Sequence, residues 1–314
     1  MPESTNGPVL VRPEQSVREA VLTAKVTVPA LPRWLVPRER VRALIATGVS
    51  GPLTVVTGPP GSGKTVALAS WAASLRPPER VAWVTLDQYD NRPEVFWSYL
   101  TQALRDGGVA IPAELPESAA RQPDDFLHKL TLAIARHTPP ATLVLDDFNA
   151  LTEPRCLDGL AYVLRNASSS LRLVLSSRMD PTLSLHRYRL TGDLTEIRAE
   201  DLAFTVAEAG ELMAHHQVTV PAESLKALTG RHEGWAAGLR LAAISMSGHP
   251  HPERFVTELD AEGGAIAGYL LDEVLNPLPP GVQEILLRTS RAARPPRQSR
   301  TYAARWNCRS RAVS

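Results

Sequence analysis

The chain has 314 residues, 44% of them hydrophobic, with a formal net charge of +1. That is enough for one large domain or two ordinary ones with ample core. No apolar run is long enough to span a bilayer and no apolar leader follows the N-terminus. Cys156 and Cys308 alone make neither a disulfide framework nor a cysteine-rich metal cluster, so membrane proteins and disulfide scaffolds are excluded and a cytoplasmic protein is expected. Seven of the 34 basic residues are arginines gathered, without an acid, in residues 291–314; the body is mildly acidic and the tail strongly basic.

In chain order, residues 1–30 are polar and punctuated by proline, and read as a flexible lead-in. Pro37 then opens a helix with Val41, Leu44 and Ile45 on one face. A short apolar run, Leu53 to Val56, ends at Thr57. Next comes Gly58-Pro59-Pro60-Gly61-Ser62-Gly63-Lys64-Thr65, and Val66 leads on into a helical pattern. This is a P-loop in its required context, strand before and helix after. Glycines let the backbone turn its N–H groups toward phosphate oxygens, and the following helix points its positive end at the same anion. Lys64 adds a mobile charge for the β- and γ-phosphates, and Thr65 a hydroxyl for Mg²⁺. The chain has only four lysines (Lys25, Lys64, Lys129 and Lys226), so the match is not a by-product of a lysine-rich composition. The helix ahead of this loop either lies over the base and sugar of a nucleotide or is a plain packing helix.

Residues 80–87 form a second strand pattern. A helix from Pro93 follows, with Val95, Phe96, Tyr99, Leu100 and Leu104 buried. Residues 107–122 are a loop rich in Gly, Pro and Ala, and 124–137 an amphipathic helix whose Lys129 faces solvent. The run Leu143-Val144-Leu145 is a buried-type strand that delivers Asp146 and Asp147 to its C-terminal end, where ligands bind in open α/β sheets. This is the form of a Walker B motif. Asp146 is a candidate Mg²⁺ ligand, direct or through water, and Asp147 is placed to polarise an attacking water. After a helix over 154–168, the strand 171–178 ends in Ser176, Ser177 and Arg178. An arginine there can sense a γ-phosphate. A further strand-like run covers 194–202. Strands near residues 52, 80, 141, 171 and 194 alternating with helices predict an α/β P-loop fold: a parallel sheet between helical layers, with an extra strand between those of Walker A and Walker B.

The period changes at residue 205. Thr205 to Glu208 is a capping box that opens a helix to about residue 216. Further helices are expected over 221–229 and 231–246, then a helical stretch with Ile266, Tyr269, Leu270, Val274 and Leu275 as its apolar stripe.

These words in this order, from LPRWLVPRERV through TGPPGSGKT, LVLDDFNAL, LVLSSRMDP and LTGRHEGWAAGLRLAA to YLLDEVLNPLPP, cover about residues 31–290. They resemble the N-terminal ATPase of the large ATP-binding LuxR-type transcriptional regulators, maltose-activator-like members of the signal-transduction ATPases with numerous domains. The resemblance implies an ATP/ADP switch. Residues 58–65 hold the phosphates, Asp146 and Asp147 manage Mg²⁺ and water, Arg178 reads the γ-phosphate, and self-association occurs in the ATP state. Gly234-Trp235 stands where related ATPases carry Gly-x-Pro against the adenine, so Trp235 either stacks on the base or belongs to the core; Ala236 replaces the proline. DNA binding in the family belongs to a C-terminal domain beyond this sequence.

The expected organisation is a flexible segment (1–30), a P-loop core (31–203), a helical lid (204–248), a partial winged-helix-like module (249–290) and a basic tail (291–314). The pattern stops after Thr289-Ser290, which suggests a truncated product with an out-of-register tail, against the alternative of a basic arm for nucleic acid. The functional expectation is an ATP-binding regulatory switch with slow hydrolysis. The alternatives are a small-molecule kinase, since GPPGSGKT occurs in both, or a non-functional fragment.

Overall fold

The computed structural model describes residues 22–247, apart from Pro78, residues 116–118, 120–121 and Ser168, together with Asn276 and Gln283. The expected module at 249–290 and the tail at 291–314 therefore lie outside the described residues, save those two positions.

Five strands, β1 (Leu53–Thr57), β2 (Val81–Thr85), β3 (Ala141–Asp146), β4 (Leu171–Ser177) and β5 (Leu194–Ile197), form one sheet in the order β2-β3-β4-β1-β5. Every pairing is parallel. Parallel neighbours need long crossovers, and the intervening segments supply them as helices. These are α1 (Glu39–Val49), ahead of β1, then α2 (Lys64–Ala73), α3 (Pro93–Asp106), α4 (Pro123–Ala135), α5 (Pro154–Asn166) and α6 (Leu185–Thr191). The expected extra strand is β4, which lies between β1 and β3, while β2 is carried to the sheet edge beyond β3.

Alternation along the strands divides the core into two layers. Val56, Val144 and Val174 point to the side of α1 and α2, where they meet Val41, Ile45 and Leu68. Val55, Leu143, Leu145, Leu173 and Leu175 point to the other side, against Phe96, Leu100, Phe126 and Leu160 of α3 to α5. Burial on both faces is why these strands read as continuous apolar runs.

Three local expectations change. Leu44 is 37% exposed; the buried stripe of α1 is Val41, Ile45 and Gly48, and Leu44 falls to its edge. A side chain at Gly48 would meet Thr54 Oγ1 at 2.9 Å, so α1 approaches β1 too closely for a larger stripe. The strand-like run 194–202 is strand only to Ile197. The Asp201 carboxylate then accepts from the Arg198 N–H at 2.9 Å and starts the short helix α7 (Ala199–Leu202). The helix expected over 231–246 begins only at Ala236, because Glu233 (φ 49°) and Gly234 (φ 70°) turn the chain left-handed.

Past the sheet, α8 (Val206–His215), α9 (Ala222–Arg231) and α10 (Ala236–Met246) pack together as a small helical unit. Its first helix carries the expected capping box. The Thr205 hydroxyl accepts from Glu208 N at 3.2 Å and the Glu208 carboxylate from Thr205 N at 2.9 Å. No helix among the described residues is long and apolar enough to cross a membrane.

Candidate functional site

The loop between β1 and α2 turns on two glycines with positive φ, Gly61 (73°) and Gly63 (87°). Pro59 and Pro60 have no N–H, so they shape the loop without adding donors. Its four leading carbonyls are all engaged. Gly58 O accepts from Lys64 Nζ at 2.8 Å and Pro59 O from Lys64 Nζ and from Ser62 N, both at 3.2 Å. Pro60 O accepts from the Trp235 indole N–H at 3.0 Å and Gly61 O from Ala237 N at 3.0 Å. The carbonyls of Pro60 and Gly61 are thus tied to the start of α10, while those of Gly58 and Pro59 hold the Lys64 ammonium. At the start of α2 the first intrahelical bond runs from Ala67 N to Gly63 O, and Gly63 offers no side-chain cap. The N–H groups of Lys64, Thr65 and Val66 are the orphan donors of a helix start, aimed where a phosphate binds.

Lys64 is buried. Burial holds its ammonium below the usual lysine range, the Asp147 and Asp146 carboxylates oppose that, and Arg178 adds to it. Asp146, Asp147 and Arg178 thus all act on Lys64 at one end of the sheet. Asp146 ends β3 with 1% exposure, and neither of its oxygens has a hydrogen-bond partner. A buried carboxylate left bare is costly, and an oxygen-seeking dication with its waters fits it. Mg²⁺ is characteristically held by one or two carboxylates plus phosphates, not by a cage of protein ligands.

Asp147 sits in the left-handed region (φ 53°, ψ 40°), uncommon for a side-chain-bearing residue. The turn it starts carries Asn149, whose Oδ1 accepts from Arg178 N at 3.0 Å. That bond ties the loop after β3 to the end of β4. The start of the P-loop is tied to the same place by Gly58 N donating to Ser177 O at 3.3 Å. Arg178 itself is exposed.

Trp235 is half-buried and docks on the P-loop backbone through its indole N–H. The sequence had suggested it from a motif position; its bond to Pro60 O depends on the turn at Glu233-Gly234. Sequence reasoning missed Arg38 and Arg40. Arg38 Nη1 donates to Leu202 O at 2.6 Å, and its guanidinium lies over the Phe204 ring at 4.7 Å. Arg40 donates to Asp201 O at 2.6 Å and to Ala203 O at 3.0 Å. A side chain on Gly63 would come within 3.3 Å of Arg38 Nη2, so Arg38 touches both the P-loop and the hinge to α8. No sequence signal marks them, since their partners are main-chain carbonyls more than 160 residues away.

The AAA domain family matches residues 49–178, from the end of α1 to Arg178. MalT, the HTH-type transcriptional regulator of Cronobacter sakazakii, is 30% identical over 280 residues, which is 86% of this chain and 30% of that protein. The serine/threonine-protein kinase PknK of Mycobacterium tuberculosis is 30% identical over 269 residues, 83% of this chain and 24% of that protein. The chain thus spans less than a third of the length of either relative. Among solved structures, a signal-transduction ATPase with numerous domains from Pyrococcus horikoshii, carrying a tetratricopeptide repeat sensor, superposes with a TM-score of 0.52 at 16% identity. That match covers 74% of this chain and 33% of the other. The Walker-type ATPase of Pyrococcus abyssi superposes with a TM-score of 0.50 at 14% identity, over 84% and 79%. At such identities the structures speak for the fold, and the sequence match speaks for descent: the chain has the P-loop NTPase fold and, over most of its own length, is homologous to a part of the MalT transcriptional regulators.

Proposed function

We propose that this chain is the ATP/ADP switch module of a LuxR-type transcriptional regulator, with slow ATP hydrolysis. The observation that carries the reading is the bare, buried Asp146 carboxylate on the strand-end side of the orphan N–H groups of α2, with Lys64 alongside. Gly58 to Val66 hold the phosphates. Lys64 leaves the carbonyls of Gly58 and Pro59 for phosphate oxygens. Thr65 and Asp146 would hold Mg²⁺, which would supply neutralisation of phosphate charge. Asp147 orients and polarises the attacking water, and Arg178 meets the γ-phosphate. Trp235 adjoins the nucleotide from α10 and transmits the state of the P-loop to the helices beyond residue 204. ATP and ADP differ in what they offer Arg178 and Asp147, and only such a differential contact can bias the two arrangements of the lid. Self-association belongs to the ATP state in this reading. DNA binding belongs to a domain of the longer regulator outside this sequence.

The test is nucleotide binding to the full chain, wild type against Lys64→Ala, with ADP and with ATP and Mg²⁺. Wild type is expected to bind both, and Lys64→Ala to lose at least about tenfold, the cost of one charge-assisted bond to phosphate. A folded wild type that binds neither nucleotide refutes the proposal. Phosphoryl transfer to an added small-molecule acceptor, in place of hydrolysis, would turn the reading to a kinase.

A further inference from the structure

The polar cluster that ends β4 has three members, and two are accounted for. Ser177 O accepts from Gly58 N, and Ser177 Oγ accepts from Met179 N at 3.4 Å. Arg178 N donates to Asn149. Ser176 remains. It is 0% exposed and its Oγ has no hydrogen-bond partner.

Its position is set by the sheet. Leu145 pairs with Leu175, so Asp146 and Ser176 are neighbours at the ends of β3 and β4, and Val56 of β1 pairs with Ser176 on the other side. Val144, Val174 and Val56 belong to the layer on the side of α2. Two-residue alternation puts Asp146 and Ser176 on that same face, toward the α2 helix that Lys64 and Thr65 begin. Three buried oxygens without partners, two of Asp146 and one of Ser176, thus share one face at the phosphate end of the sheet. A buried hydroxyl without a partner is worse for stability than an alanine, and such groups in folded proteins mark a site that is completed by something else. A direct bond between Ser176 and Asp146 would have satisfied both, and they do not make one. What they lack is a small hydrogen-bonding species that reaches both, and a water carried by a hydrated dication is such a species, since Mg²⁺ keeps several of its waters when bound.

We infer that Ser176 is a positioning residue for hydrated Mg²⁺. Its Oγ bonds a water of the cation's shell while Asp146 holds the same shell through its carboxylate. The inference rests on the nucleotide-switch reading above and adds a residue to it. Outer partners of this kind set metal affinity by about 10- to 100-fold. Ser176 therefore acts on Mg²⁺ dependence and leaves metal-free nucleotide contacts alone.

The test uses the full chain as wild type, Ser176→Ala and Thr54→Val. Thr54, like Ser62 of the P-loop, is another buried hydroxyl without a partner; it lies on β1 facing Gly48, away from the loop, so its loss is a control for removing such a group elsewhere in this layer. ADP affinity is titrated in EDTA and across a Mg²⁺ series, with the melting temperature of each variant read alongside. The three proteins are expected to bind ADP equally in EDTA. The Mg²⁺ concentration at half-effect is expected to rise about tenfold in Ser176→Ala alone, with its melting temperature equal to or above that of wild type. An unshifted Mg²⁺ midpoint in Ser176→Ala overturns the inference, and so does an equal shift in Thr54→Val. A wild type that binds ADP with no response to Mg²⁺ overturns it while leaving nucleotide binding intact. A wild type that binds no ADP overturns both.

Discussion

Gly234→Ala tests whether the turn before α10 holds the lid against the P-loop. Gly234 has φ +70°, and a Cβ there would lie 2.6 Å from Phe204 O and 2.7 Å from Phe204 N. Left-handed backbone costs an alanine about 1–2 kcal/mol. The collision is with main chain, so it is relieved only by moving Phe204, which breaks the Phe204 N to Gly234 O bond of 2.8 Å. That bond is worth about 1 kcal/mol. The sum is a loss of about 2–3 kcal/mol, concentrated where the hinge meets α10. Gly192→Ala is the matched reference, because Gly192 has φ +76° with nothing within 4 Å of its Cβ and pays the strain alone. In urea unfolding, Gly234→Ala is expected to fall below Gly192→Ala by at least about 1 kcal/mol. Hydrogen exchange at the Phe204 and Ala237 amides should rise only in Gly234→Ala. Equal stabilities with unchanged exchange would show that the turn does not fasten the lid, and the route from P-loop to lid through Trp235 would fail with it.

Trp235→Phe keeps an aromatic ring but loses the indole donor to Pro60 O; exchange at Ala237 should speed up by a few-fold, as about 1 kcal/mol of coupling is lost, while the unfolding midpoint moves little. Lys25→Met strands Asp90, which is 1% exposed and bonded to Lys25 Nζ at 2.6 Å, and should cost about 3 kcal/mol in urea unfolding. The same change alters the pH profile. Although burial works against its charge, the Asp90 and Asp87 carboxylates hold Lys25 above the usual 10.5. Burial of Asp87 is likewise outweighed, by Lys25 and the Tyr89 N–H, leaving its carboxyl below the usual 3.8. Lys25 thus contributes stability that is complete below pH 10.5 and fades as pH climbs through its raised value. The Asp87 contribution is complete above pH 3.8 and fades as pH drops through its lowered value. Lys25→Met should flatten both flanks in thermal melts run across pH.

What the sequence made legible was the chemistry that depends on neighbours along the chain. The P-loop, the acids ending β3 and the arginine ending β4 are each a strand followed by its functional residues. A doubly buried strand declares itself as an apolar run, and the residues after it must lie at the sheet end. The capping box at Thr205 was readable for the same reason. The misses are contacts between distant segments or conformations that composition does not encode. Nothing in the word LDDFNA announces that Asp147 adopts left-handed backbone. Arg38 and Arg40 carry no pattern in VPRERV, yet they reach Leu202, Asp201 and Ala203, more than 160 positions away. Leu44 was misplaced because its spacing from Val41 is also helical; the close approach of Gly48 to Thr54 chose the stripe. Ser176 looked like one member of a polar tip until its lack of a partner set it apart.

The grip of Arg38 and Arg40 on residues 201–203 has an evolutionary consequence. Both arginines hold carbonyl oxygens, and every amino acid supplies one. Side chains in the hinge are therefore free to drift for this purpose while the two guanidinium groups are not. Lysine is a poor exchange for either, since Arg40 spans two carbonyls at once with its fork. Descendants of this module should accordingly vary at 203, keep Asp201 only for its bond to the Arg198 N–H, and keep arginine at 38 and 40, so that the grip on the hinge is written at the start of α1, more than 160 residues before the loop it holds.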